Sequence, residues 1–185
     1  LFEKLPDWQG DPWRETMILN SLRTEESIRE ALVSSRTSAS PRFEAELVRM
    51  SGRSGNQRLL DVAIAKLATI AVSDELVRLV SAFKEGILFA GGDWDGVREG
   101  ESLRTVFAKA KVICEDESAM EGDRLAALRI LKLEGSPSSD LTRMQIASDT
   151  LSPATLVVEA VEGMEDPSLL LNGLDLLPSE AIRIV

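Results

Sequence analysis

The chain has 185 residues, is 44% hydrophobic and 28% charged, and carries a formal net charge of −10. That composition supplies enough apolar surface to offset chain entropy, so it excludes an intrinsically disordered chain. There is no His, no Tyr and one Cys, which removes His-based proton transfer, internal disulfides and Cys-cluster metal sites.

The charge is uneven along the chain. Residues 1–60 hold nine basic and nine acidic residues, while the rest hold 12 basic and 22 acidic. An acidic half repels a phosphate backbone, so nucleic acid is not expected as a partner. Its plain meaning is a solvated surface, with an acidic docking face as the alternative. No apolar run approaches the ~18 residues of a membrane span, so no membrane insertion is expected. No signal peptide pattern is present. The start at Leu1 without Met and the end at Val185 suggest a piece of a longer chain.

In chain order, Asp11–Pro12 opens the first helix, with Trp8 just before it and Trp13 inside it. Ile28, Ala31 and Leu32 mark a second helix. Ser40–Pro41 opens a third, carrying Phe43, Leu47 and Met50. Asp or Ser before Pro is a helix-start device: the side-chain oxygen accepts an orphan amide, and proline needs no donor in the first turn. Leu60, Ala63, Ile64, Leu67 and Ala71 then share one face. So do Leu76, Leu79, Val80, Phe83 and Ile87, behind a start at Ser73-Asp74-Glu75. Residues Ala90 to Gly100 read as a Gly-rich link. Leu103, Val106, Phe107, Ala110 and Cys114 follow. Asp123 is expected to cap a helix beginning at Arg124–Leu125, and Glu134 to Ser139 reads as a link. Val157, Ala160, Val161 and Met164 lie beyond Ser152–Pro153, and Leu170, Leu174 and Leu177 beyond Asp166–Pro167. Each of these long runs follows the i, i+3, i+4, i+7 template, and no strand alternation is sustained.

The expected fold is all-α, with roughly nine or ten helices of ordinary length joined by short polar links. Links that short make neighbouring helices antiparallel. Arg124-Leu-Ala-Ala-Leu-Arg-Ile-Leu131 and Thr155-Leu-Val-Val-Glu-Ala-Val161 start about thirty residues apart, a degenerate repeat. Helix pairs that recur cannot bury their faces alone and stack on their neighbours. The expected architecture is therefore one α-α superhelix over residues 1–185, with a non-repetitive helical bundle as the alternative.

These segments resemble HEAT/armadillo repeats. Asp123 to Leu131 carries the Arg-x-Ala-Ala-x-x-x-Leu flavour of a first repeat helix, and Asp11-Pro-Trp-Arg14 and Asp166-Pro-Ser-Leu169 resemble the Asp-Pro turn. The order of segments is similar to the helical region of large bacterial membrane-bound-dehydrogenase-like proteins. In that family a β-propeller precedes the helical repeats and a haem-binding Cys-x-x-Cys-His cytochrome domain follows. The resemblance implies a spacer or docking role beside those flanking domains, in the periplasm or at the cell surface. With no histidine and no Cys-x-x-Cys-His here, none of that family's catalytic or haem residues maps onto this chain.

Candidate sites are few. Trp8, Trp13 and Trp94 are aromatic interface candidates, with packing as the plainer role for the first two. Asp93, Asp95, Glu99 and Glu101 could gather around calcium. However, Gly96 falls fourth from Asp93, not sixth, so the EF-hand template fails. The stretch then reads as a loop with Trp94 folded back as a plug, and cation binding stays open. Arg36, Arg42, Arg49, Arg53 and Arg58 could meet an acidic partner, yet Glu44 and Glu46 interleave them and suggest a mixed solvated face. The run Glu115-Asp116-Glu117 with Glu121 and Asp123 reads as an inter-helix loop and cap. Cys114 reads as a small core residue. No catalytic residue, cofactor or metal is expected. The expected function is a non-catalytic scaffold, spacer or docking module for flanking domains or another protein. A stand-alone peptide- or protein-binding α-solenoid is the alternative.

Overall fold

Asp11 and Ser40 act as their sequence context demands. Asp11 Oδ1 accepts the amides of Trp13 at 3.0 Å and Arg14 at 3.3 Å, and Ser40 Oγ accepts that of Phe43 at 3.2 Å. A computed structural model describes residues 11–34, 40–164 and Ser168. Among these the chain is all-α, with ten helices and no strand: α1 Pro12–Ser21, α2 Glu25–Ser34, α3 Pro41–Arg53, α4 Gln57–Thr69, α5 Asp74–Phe89, α6 Trp94–Arg98, α7 Glu101–Glu115, α8 Glu121–Glu134, α9 Pro137–Ser148 and α10 Ala154–Glu162. The start at Asp166–Pro167, the Leu170–Leu174–Leu177 face, Trp8 and Arg36 lie outside the described residues.

Three local expectations change. Asp123 does not cap α8, which begins earlier behind Met120 without any side-chain cap. Ser152 does not cap α10; its Oγ donates instead to Asp149 Oδ2 at 2.8 Å. The link from Glu134 to Ser139 contains the start of α9, where Ser136–Pro137 repeats the Ser-Pro device and Ser136 Oγ accepts the Ser139 amide at 3.2 Å. At the other end of α8, Gly135 adopts φ +61°, the left-handed conformation that closes a helix, and its amide reaches Leu131 O at 3.2 Å.

The chain divides into two compact units. The first takes residues up to Ile70 together with Arg78–Leu103; the second takes Ala71–Val77 and the residues from Arg104 onward. In the first unit α2, α3 and α4 pack on one another and α1 packs on α3, around Leu32, Phe43, Leu47, Leu59 and Leu67. Ser40 Oγ donates to the buried Glu15 Oε2 at 2.6 Å, tying α1 to the start of α3. Helix α5 crosses α3 at two glycines. A Cβ on Gly86 would lie 2.3 Å from Arg49 O, and one on Gly52 would lie 2.6 Å from Phe83 O. Only glycine permits backbones to come this close.

In the second unit α8, α9 and α10 pack on one another, around Ala127, Leu128, Leu131, Ile146, Leu156 and Ala160. Helix α9 contributes a polar buried face: Ser139, Asp140, Thr142 and Arg143 are all buried. Arg143 is fully enclosed. Its guanidinium donates to the carbonyls of Glu159 at 3.3 Å, Ala160 at 3.1 Å, and Leu128. The first two belong to the last turn of α10, where carbonyls have no partner within the helix.

The same device occurs twice more. Arg124 of α8 is buried and donates from Nε to Cys114 O at 3.1 Å, in the last turn of α7. In the first unit, Lys66 of α4 reaches Leu32 O of α2 at 3.5 Å and pairs with Glu44 Oε1 of α3 at 3.0 Å. A cation at a helix C-terminus satisfies orphan acceptors and meets the negative end of the macrodipole. Burying a charge is costly unless it is bonded in this way, and these bonds tie each helix to its neighbours.

Candidate functional site

The turn between α3 and α4, the first half of α4, the end of α5, the short helix α6 and the first turn of α7 line a cleft of about 520 Å³ within the first unit. That size lies in the range of ligand pockets. Its floor is apolar, from Leu60, Ile64, Ile87 and Leu103, all buried. Five glycines line it: Gly52, Gly55, Gly92, Gly96 and Gly100. Asp61, Asp93 and Glu101 supply the charge, all three exposed, and none of the described residues lining the cleft is Lys or Arg.

Each wall has a local cause. Asn56 opens α4 by accepting the Arg58 amide at 2.9 Å, after Gly55 has turned the chain at φ +63°. Gln57 Nε2 donates to Asp61 Oδ1 at 2.8 Å, one turn along α4. Asp93 opens α6 by accepting the Asp95 amide at 3.0 Å. A Cβ on Gly96 would sit 2.7 Å from Asp93 Oδ2, so glycine leaves that carboxylate its position. The segment expected as a plain Gly-rich loop thus holds a short helix.

Trp94 belongs to α6 and is 5% exposed. Lys84 Nζ of α5 lies 5.5 Å from its ring centroid, a cation–π contact. A ring so enclosed in its own unit packs α6 in place and offers little surface to a partner. Trp13 is the opposite case, at 79% exposure. Met17, one turn along α1, is exposed as well.

The acidic loop residues have local duties. Asp93 caps α6, and Asp95 pairs with Arg98 Nε at 3.3 Å. Among the described residues no three His, Cys, Asp or Glu side chains converge as a metal-ligand group. In the arginine series, Arg49 bridges Glu46 of its own helix and Glu85 of α5, with 3.0 Å to Glu85 Oε2. Arg53 lies over the exposed Phe89 ring at 4.0 Å. In the second unit Asp116 Oδ1 accepts from the Ser118 hydroxyl at 2.6 Å and amide at 2.9 Å, which lowers its pKa. The amide of Leu151 and the hydroxyl of Ser152 lower that of Asp149 in the same way. These carboxylates are organised as loop and helix caps.

Cys114 is buried in α7, and burial pushes its thiol up to about 11 against the pull of Arg124 and Arg143. A thiol held protonated is a poor nucleophile. The residues that sequence reasoning missed are Arg143, Lys66 and the pair Gly52/Gly86. The Ser136–Pro137 helix start was the one signal that could have led to α9 and Arg143.

No helix of the described residues is long and apolar enough to cross a membrane. Comparison with known proteins finds no matching family model, no matching curated protein and no matching solved structure.

Proposed function

We propose that this chain is a non-catalytic helical-repeat module of HEAT/armadillo type, which acts as a scaffold and docking element for flanking domains or another protein. The observation that carries the reading is the recurrence of one packing device. In each unit three helices pack mutually, and a buried cation from one helix closes the C-terminal carbonyls of another: Lys66 on α2, Arg124 on α7, Arg143 on α10. Recurring units with closed helix ends suit stacking into a solenoid, whose work is geometric. The chemistry points the same way. The chain has no histidine, and its capping carboxylates lack the asymmetric pairing that acid–base catalysis uses. The cleft favours docking over a bare spacer.

A scaffold holds its parts at one separation. Dyes attached to the exposed E30C and E162C positions, with the buried Cys114 left in place, would report that separation by single-molecule energy transfer. The reading predicts one narrow distance distribution. Several populations, or one broad distribution, would contradict it.

A further inference from the structure

The geometry points to a specific occupant for the first unit's cleft: a partner-protein segment that sets Arg or Lys beside a Leu- or Ile-sized side chain. This inference rests on the docking reading above and names its site and partner chemistry. The cleft offers two different surfaces a short distance apart. The still-exposed edges of Leu60 and Ile64, with Ala90, Val97 and the glycine carbons around them, give a mostly apolar wall that gains by losing water. Asp61 and Asp93 give a negative rim, and no cation among the described lining residues offsets them. The complement of that pattern is a cation next to an apolar side chain. An anionic or purely polar partner would lose on the rim or on the apolar wall. The lining glycines keep the walls low, so an extended backbone can approach. Asp93 is held in place by its bond to the α6 amide, so the rim is organised before any partner arrives and little ordering is lost on binding.

The test is a ¹⁵N-resolved NMR titration of the whole chain with the peptide acetyl-Leu-Arg-Leu-Lys-Leu-amide. The comparison peptide replaces Arg and Lys with Glu. The cleft glycines report directly, and Gly122 and Gly135 of the second unit serve as references. The expected result is saturable movement of the Gly55, Gly92, Gly96 and Gly100 signals with the basic peptide alone. Asp61→Lys should weaken that binding about fivefold or more. Glu30→Lys makes the same charge change on α2, away from the cleft, and should leave it unaltered. Saturable binding that moves only signals elsewhere overturns the cleft assignment and leaves a docking module standing. Diffuse unsaturated shifts, equal response to the Glu peptide, or equal loss in both variants would overturn the proposed partner chemistry. The energy-transfer measurement tests the scaffold reading separately, so the two failures are distinguishable.

Discussion

A Cβ placed on Gly163 would lie 1.3 Å from Arg143 Nη1. The guanidinium occupies the space that any side chain at residue 163 would need. Gly163→Ala therefore expels Arg143 from the carbonyls of Glu159, Ala160 and Leu128 and costs about 1–3 kcal/mol. Arg143→Met leaves the same acceptors without their donor, at a similar cost. Because both changes break one set of bonds, the double variant should lose less than the two singles together. Thermal melting of the four proteins checks this. Strict additivity would show that the two residues act independently.

Two helical glycines, Gly86 at the crossing of α3 and α5 and Gly122 in α8, should respond to alanine with opposite signs. Ala is better than Gly in a helix interior by about 1 kcal/mol. At Gly122, in the first turn of α8, an added Cβ meets nothing within 4 Å, so Gly122→Ala should stabilise. At Gly86 the new Cβ would lie 2.3 Å from Arg49 O, which is backbone and cannot move aside. Overpacking of about 1–3 kcal/mol should then outweigh the propensity gain, and Gly86→Ala should destabilise. Urea unfolding of both variants gives the signs. Stabilisation by Gly86→Ala would mean the helices do not approach so closely.

Lys66 and Glu44 are 7% and 12% exposed at their side chains. Removing one partner of a buried pair leaves the other charge without compensation. Lys66→Ala should cost about 3–5 kcal/mol, and pairing Lys66→Met with Glu44→Leu should recover most of it. Arg29→Ala, which breaks an exposed pair with Glu26, should cost far less. Denaturant midpoints check the ranking. Equal losses at Lys66 and Arg29 would place Lys66 in solvent.

Cys114 makes the pH prediction. Burial raises its thiol from 9.0 to about 11, so the folded chain holds that proton more tightly than the unfolded chain does. The resulting contribution to stability is complete below pH 9.0 and is lost as pH rises toward 11. The stability of the wild-type chain relative to Cys114→Ala should therefore decline over that interval and stay flat below it. A constant difference throughout would mean that the thiol is not buried. Thiol reagents at neutral pH should react with the denatured chain only.

The helix faces were legible because buried apolar positions keep the 3.6-residue period. Leu76, Leu79, Val80, Phe83 and Ile87 were expected on one face, and all five are buried. Ala71 fits the periodicity of the α4 face, but the helix ends at Thr69 and Ala71 is exposed. Helix α9 was not legible, because its buried face carries Ser139, Thr142 and Arg143, which read as surface residues in any hydrophobicity pattern. Gly52 and Gly86 carry no signal in a hydrophobic pattern, and only tertiary packing turns them into contacts. The cleft draws on two separate stretches of chain, 52–64 and 87–103, so no local motif announces it. Asp93, which the sequence offers as a possible cation ligand, is a helix cap, since an Asp before a short helix serves its amides first.

Small-angle X-ray scattering tests the proposed function most directly, the claim that the chain is a helical-repeat scaffold whose work is geometric. A compact protein of this length has a radius of gyration of about 16 Å. Stacked units predict a distinctly larger radius and a distance distribution skewed toward long separations. A radius near the compact value with a symmetric distribution would contradict the claim.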